Sequence, residues 1–108
     1  MSYSQLSTKL AVVNGTDEFS QAVMMDGNAV QLDATIYNLG GATSLTIEIQ
    51  GSNDRQNWSV VTTNNGLVLG YSSPAKSTGV GFACVRLRYS VSGAGTVIVA
   101  AGVNTSLQ

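Results

Sequence analysis

Residues 28–50 read NAVQLDATIYNLGGATSLTIEIQ, and two strands are legible in them. Val30, Leu32, Ala34 and Ile36 alternate with Gln31, Asp33, Thr35 and Tyr37. Leu45, Ile47 and Ile49 then alternate with Thr46, Glu48 and Gln50. An extended chain turns successive side chains to opposite faces, so a period of two gives each segment one apolar face for a core and one polar face for water. Asn38-Leu39-Gly40-Gly41 between them is a turn. A hairpin across it would set Asp33 and Glu48 opposite each other on the polar face, as solvated surface charges.

The same texture extends in both directions. Downstream, 51–57 is a polar loop, Trp58 to Thr63 is a strand, and Asn64-Asn65-Gly66 is a hairpin signal leading into a short strand that ends at Ser72. Residues 73–79 form the longest loop and hold the one proline, Pro74. In the strand that follows, Ala83, Val85, Leu87, Tyr89 and Val91 face one way, and Cys84, Arg86, Arg88 and Ser90 the other. Ser92-Gly93-Ala94-Gly95 predicts a hairpin into Thr96–Val103. Upstream, Lys9 to Val13 is a strand ended by Asn14-Gly15. The one helix candidate, Asp17 to Met25, spans too few turns before Asp26-Gly27 and reads as a strand or short turn. About eight strands with turn signals at roughly ten-residue spacing predict one all-β domain, an antiparallel β-sandwich over residues 1–108. Strand order, jelly-roll or otherwise, is not written in the alternation.

Composition narrows the function. The chain has 108 residues, five Lys and Arg, six Asp and Glu, no His, and a net charge of −1. Charged residues are 10% of it, against about 25% in ordinary domains. Five basic residues are too few for phosphate-backbone binding, so no nucleic acid is expected. Without His there is no imidazole metal site, triad or pH switch. Cys84 is alone, so no internal disulfide forms, and no neighbouring Lys or His activates its thiol. No apolar run approaches a membrane span of about 20 residues. The first residues lack the basic and apolar regions of a secretory leader, so synthesis in the cytoplasm is expected. The N-x-Ser/Thr triplets at Asn14, Asn57 and Asn104 are no more than such a Ser/Thr-rich chain yields by chance.

The glycine pairs at Gly79/Gly81 and Gly93/Gly95 open strands rather than helices, so they read as turns and not as phosphate cradles. The loop Ser52-Asn53-Asp54 with Asn57 is rich in oxygen but lacks the spacing of a calcium loop. Arg86 and Arg88, two apart on one strand, emerge on the same face, with Glu48 or Asp33 as candidate partners. Trp58 opens a strand directly after the polar loop and reads as a plug at one end of the core. No catalytic, cofactor-binding or metal-ligating residues are expected, and no enzyme. The candidate binding or interface residues are Asn53, Asp54, Arg55, Trp58, Arg86 and Arg88.

The segment LTIEIQGSNDRQNWS, residues 45–59, resembles the strand, Gly-Ser-Asn-Asp loop and Trp unit of discoidin-like sandwiches. It also resembles small β-sandwich subunits of phage and bacterial surface assemblies. In those families the unit is followed by a strand like Val85-Arg86-Leu87-Arg88-Tyr89 and a final hairpin, and both follow here. The resemblance covers roughly residues 44–63 and 80–101. It implies a jelly-roll or discoidin-like sandwich and, from the phage-type subunits, a role in decoration, fibre or shell building.

A second argument leads the same way. Lone sandwiches guard their edge strands with lysine and proline, and this chain has two Lys and one Pro. Near-zero net charge also favours association. Copies of the chain, or a scaffold or capsid-type protein, are therefore the expected partners, in a virion or bacterial assembly. Residues 1–8 and 104–108 are candidate arms. The competing expectation is a small carbohydrate- or cell-surface-binding module, with glycan as its ligand.

Overall fold

The computed structural model describes residues 2–25 and 27–106. Nine strands form: β1 (Ser2–Val13), β2 (Glu18–Phe19), β3 (Val23–Met24), β4 (Ala29–Asn38), β5 (Ser44–Ser52), β6 (Ser59–Leu67), β7 (Gly70–Ser72), β8 (Cys84–Ser92) and β9 (Thr96–Ser106). They make two antiparallel sheets, one in the order β1-β9-β4-β7 and one in the order β2-β8-β5-β6, with β3 also on β8. Glu18–Phe19 pairs with Tyr89 and Arg88, and Val23–Met24 with Val85 and Cys84, so β2 and β3 are one broken edge strand. The Asp17–Met25 segment is thus two short strands joined by irregular chain; Asp26 lies outside the described residues. Counted with β2 and β3 as one, there are eight strands. The first pairs with the last (β1 with β9), the second with the seventh (β2–β3 with β8), the third with the sixth (β4 with β7), and β5 with β6. That is the winding of a jelly roll.

The alternation places the core as the sequence predicts, except that Ala83, expected in the inward row with Val85, precedes β8 and is exposed. Val30, Leu32, Ala34 and Ile36 of β4, Leu45, Ile47 and Ile49 of β5, and Val85, Leu87, Tyr89 and Val91 of β8 are all buried, joined by Val97, Val99, Ala101 and Val103 of β9. The accessible surface is 5332 Å², close to the ~5,700 Å² that a compact monomer of this mass exposes. Among the described residues, nothing therefore stands off the body. The segments expected as arms pair with each other instead, Ser2 with Thr105, Tyr3 with Asn104 and Ser4 with Val103, inside the β1–β9 ladder. Met1, Leu107 and Gln108 lie outside the described residues.

Three turns do something other than the sequence suggests. The Asn38–Gly41 turn joins β4 to β5 across the two sheets, so these strands do not form a hairpin and Asp33 and Glu48 lie on opposite outer faces. The reason is burial: each strand covers its apolar face with the other sheet. Gly40 holds this corner at φ +56°, and a Cβ there would sit closer than 3 Å to the Thr96 carbonyl. Asn64-Asn65-Gly66 is not a turn but runs inside β6. Leu45 pairs with Leu67 and Ile47 with Asn64, so β6 carries an extra residue there, a bulge that Gly66 accommodates at φ +69°. The Ser92–Gly95 turn likewise carries β8 to β9 in the opposite sheet rather than into a hairpin.

Candidate functional site

The outer face of the β2-β8-β5-β6 sheet gathers the residues singled out in the sequence. Arg86 and Arg88 project from β8 beside Gln50 and Glu48 of β5, their cross-strand partners. The Arg86 guanidinium lies 4.4 Å from the centre of the Phe19 ring and 4.2 Å from that of Trp58. Its Nε donates to Gln50 Oε1 at 2.8 Å. A planar cation between two rings gains on both faces, about 0.5–2 kcal/mol each depending on desolvation. Burial among these groups lowers the guanidinium's pKa from its ordinary value, yet it stays charged across the physiological range. Trp58 is half-buried on this outer face and is no part of the core, which corrects its reading as a core plug. The inward positions at that end are filled by Val85, Ile49 and Leu87, leaving the indole only the outer face.

A chain of contacts continues from the stack. Gln50 Nε2 donates to Glu48 Oε1 at 2.7 Å. Arg88 bonds to Asp17 and reaches Glu48 Oε2 at 3.5 Å. Of the two partners expected for these arginines, Glu48 serves and Asp33 faces away on the other sheet. Asp17 and Phe19 bind the short edge strand β2 to the centre of the sheet.

The loop 51–57 is built on Ser52, which is fully buried. Its Oγ donates to Asp54 Oδ1 and accepts the amides of Asp54 and Arg55. Asp54 accepts the amides of Gln56 and Asn57 at 2.9 and 2.8 Å, and Asn57 Nδ2 at 2.7 Å. These bonds hold its carboxyl far below the ordinary carboxylate range. Asn53 Oδ1 accepts the Ala83 amide at 2.9 Å, and the buried Cys84 thiol donates to the Ser52 carbonyl. Gly51 lies against Phe82, where a Cβ would come closer than 3 Å to the ring. Arg55, at φ +61°, reaches Met24 Sδ at 3.5 Å. The Gly-Ser-Asn-Asp motif thus fixes the loop and latches it to residues 82–84. Its oxygens are turned onto N–H donors, an arrangement for shape rather than for cation binding.

The outer face of the other sheet is different. Tyr3, Tyr37 and Tyr71 project there, 53%, 53% and 66% exposed. Tyr3 lies over Gly102, where a Cβ would come closer than 3 Å to its ring and hydroxyl. Burial, then the neighbouring Asp33 carboxylate, then Tyr71 raise the Tyr3 pKa. Lys9 Nζ sits 5.9 Å from the centre of the Tyr37 ring. Asn104 Oδ1, in the Tyr3 row, is buried with no hydrogen-bond partner among the described residues.

The structure therefore brings Asn53, Asp54, Arg55, Trp58, Arg86 and Arg88 to one face, where the first three sit in the loop and the last three in or beside the sheet. The sequence reading missed Phe19, because nothing local shows that β2 would lie beside β8. It also missed the tyrosine face. There the period-two pattern could have placed Tyr37 on the polar side of β4, but not Tyr3 and Tyr71 beside it. Against models of known protein families and against curated protein sequences the chain has no match.

Proposed function

We propose that the protein is a non-enzymatic structural subunit that associates with other copies of itself, or with a capsid-type scaffold, through the tyrosine-bearing face of its β1-β9-β4-β7 sheet. A phage or bacterial assembly is the proposed setting. The observation that carries this reading is the contrast in charge between the faces. Of the ionised residues in the described strands, Glu18, Glu48, Arg86 and Arg88 belong to the β2-β8-β5-β6 sheet, where Arg88 pairs with Glu48 and with Asp17 just before β2. The opposite sheet carries only Lys9 and Asp33 among three exposed tyrosines. Interface cores are depleted of charge and enriched in tyrosine. The edges argue for face contacts. β7 has three residues, β2 and β3 two each, and the long edge strands β1 and β6 are both bulged, devices that discourage strand-on-strand pairing.

The test is native mass by light scattering with electron microscopy of the same sample. A defined multi-subunit particle, reduced to monomer by Tyr71→Lys on the β7 side of the face, is the expected result. A wild-type chain that stays an 11.2 kDa monomer at every concentration overturns self-assembly. A second reading, glycan binding, is favoured by Tyr3 lying near Asp33, because a ring and a carboxylate together suit a sugar's apolar face and its hydroxyls. Retention on a glycan array that Tyr71→Lys abolishes, with the protein monomeric, supports that reading instead.

A further inference from the structure

We propose that two copies pair about a two-fold axis through their tyrosine-bearing faces, with Lys9 of each copy on Asp33 of the other. The inference rests on the self-assembly reading and adds to it the partner, a second copy, and the symmetry of the contact.

The charges of the face lead to it. The strands β1, β9, β4 and β7 carry one cation, Lys9, and one anion, Asp33. Neither forms an ion pair among the described residues, where both salt bridges belong to Arg88. The register keeps them apart. Asp33 lies opposite Gly102, while the Lys9 ammonium rests 5.9 Å from the centre of the Tyr37 ring. Tyr37 is four residues further along β4, about 13 Å at the rise of a strand. One unpaired charge of each sign, on a face otherwise neutral and aromatic, is complementary to itself.

Symmetry turns this into a single arrangement. When a face meets its own copy, a two-fold axis lying in the plane of contact exchanges points placed evenly about it. The axis midway between the two charges lays each Lys9 on the other copy's Asp33, so one contact makes two ion pairs. The Tyr37 end of each copy then covers the other's Asp33 end, where Tyr3 also lies. Rings around an ion pair exclude water and strengthen it. The middle of the face leaves room for them. Val97, Val99, Ala101 and Val103 of β9 point into the core, so Ala100 and Gly102 are among its outward residues, and both are small. The area suffices as well. The molecule measures 38 × 26 × 19 Å, and its two longer extents frame a face broad enough for the ~800 Å² each partner of a stable pair contributes.

Charge reversal tests the contact. Lys9→Glu and Asp33→Lys each set like charges together, and each should raise the dissociation constant of the dimer about tenfold or more. Light scattering across concentrations reads this, with circular dichroism to check folding. Mixed in equal amounts, the two variants should regain a dimer of twice 11.2 kDa, because each supplies the charge the other lacks. The double variant Lys9→Glu/Asp33→Lys should pair with itself but not with wild type. Independently, added salt should weaken the wild-type dimer, and the milder Lys9→Gln and Asp33→Asn should reduce that dependence. Wild-type assemblies that survive both reversals, or that exceed two copies, overturn the two-fold pairing while self-association stands. So does an equal mixture that stays monomeric. A wild-type monomer at every concentration overturns both.

Discussion

On the outside of one sheet Arg86 is held by two rings and an amide; on the outside of the other, Tyr71 stands two-thirds exposed. Both faces come from strands with the same alternation, and both carry polar residues at the outward positions. They differ in what those residues do. On the β2-β8-β5-β6 face, Asp17, Arg88, Glu48, Gln50 and Arg86 form a continuous chain of bonds that ends in the Phe19 and Trp58 rings. Such a face contributes to stability within the chain, with Phe19, Met24 and Val60 left exposed along its edges. On the β1-β9-β4-β7 face the tyrosines present broad, uncharged surface that the chain itself leaves uncovered. Charge placement separates the face whose polar groups bond to one another from the face whose tyrosines stay uncovered.

The comparison breaks most visibly at Arg86. Arg86→Ala removes two ring contacts and a charge-assisted hydrogen bond, and should cost about 1.5–3 kcal/mol, or roughly 4–8 °C of Tm per kcal/mol. A red shift of Trp58 fluorescence should accompany it. Tyr71→Ala on the opposite face should stay within about 0.5 kcal/mol. Equal losses in thermal melts of the two variants would erase the distinction between the faces. Arg86→Lys should recover only part of the loss, since an ammonium lacks the planar surface that both rings cover.

Alkali should act next. Burial raises the Tyr89 pKa, with the Ser7 bond opposing it, and burial followed by Asp33 and Tyr71 raises that of Tyr3. A raised folded-state pKa favours the neutral phenol. Its contribution is therefore complete below the ordinary tyrosine value of about 10 and is lost as pH rises through the raised value. Melts at increasing pH should show this loss, and Tyr89→Phe should reduce it. Asp33→Asn gives a finer test of the tyrosine face. The Tyr3 titration, followed by ultraviolet absorbance difference against Tyr3→Phe, should move down towards the ordinary value but not reach it, because burial is the larger cause. An unchanged titration would separate Asp33 from Tyr3.

The smallest effect belongs to the loop. Asp54 has a depressed carboxyl, so its hold on the Gln56 and Asn57 amides is present above the ordinary carboxylate range of about 3.9 and fades only as pH falls towards the depressed value. Hydrogen exchange at these two amides should stay slow at pH 4 in the wild type and be fast in Asp54→Ala, with little change elsewhere. Rapid exchange in both would mean that the loop is not held by this carboxylate.

The sequence by itself determined that β4, β5 and β8 are strands and which side of each is buried. Val30, Leu32, Ala34 and Ile36, with their counterparts in β5 and β8, needed only the period of two, because alternation of side chains is a property of one extended chain whatever lies beside it. It determined the Ser52–Asn57 turn chemistry for the same local reason: a serine or aspartate oxygen bonds amides two or three residues on. Pairing was decided elsewhere. Asn38–Gly41, Asn64–Gly66 and Ser92–Gly95 all carry turn residues, yet two are corners between sheets and one is a bulge. A glycine at positive φ serves each of these equally well. Only the packing of two apolar sheets chooses among them, by bringing first strand to last and pairing the described ends of the chain with each other. The caged Arg86 and the tyrosine face follow from that choice. Phe19 and Trp58 meet Arg86 across 67 and 28 residues of chain, Tyr3 lies near Asp33 and Tyr71, and no local pattern encodes contacts that the winding of the sheets creates.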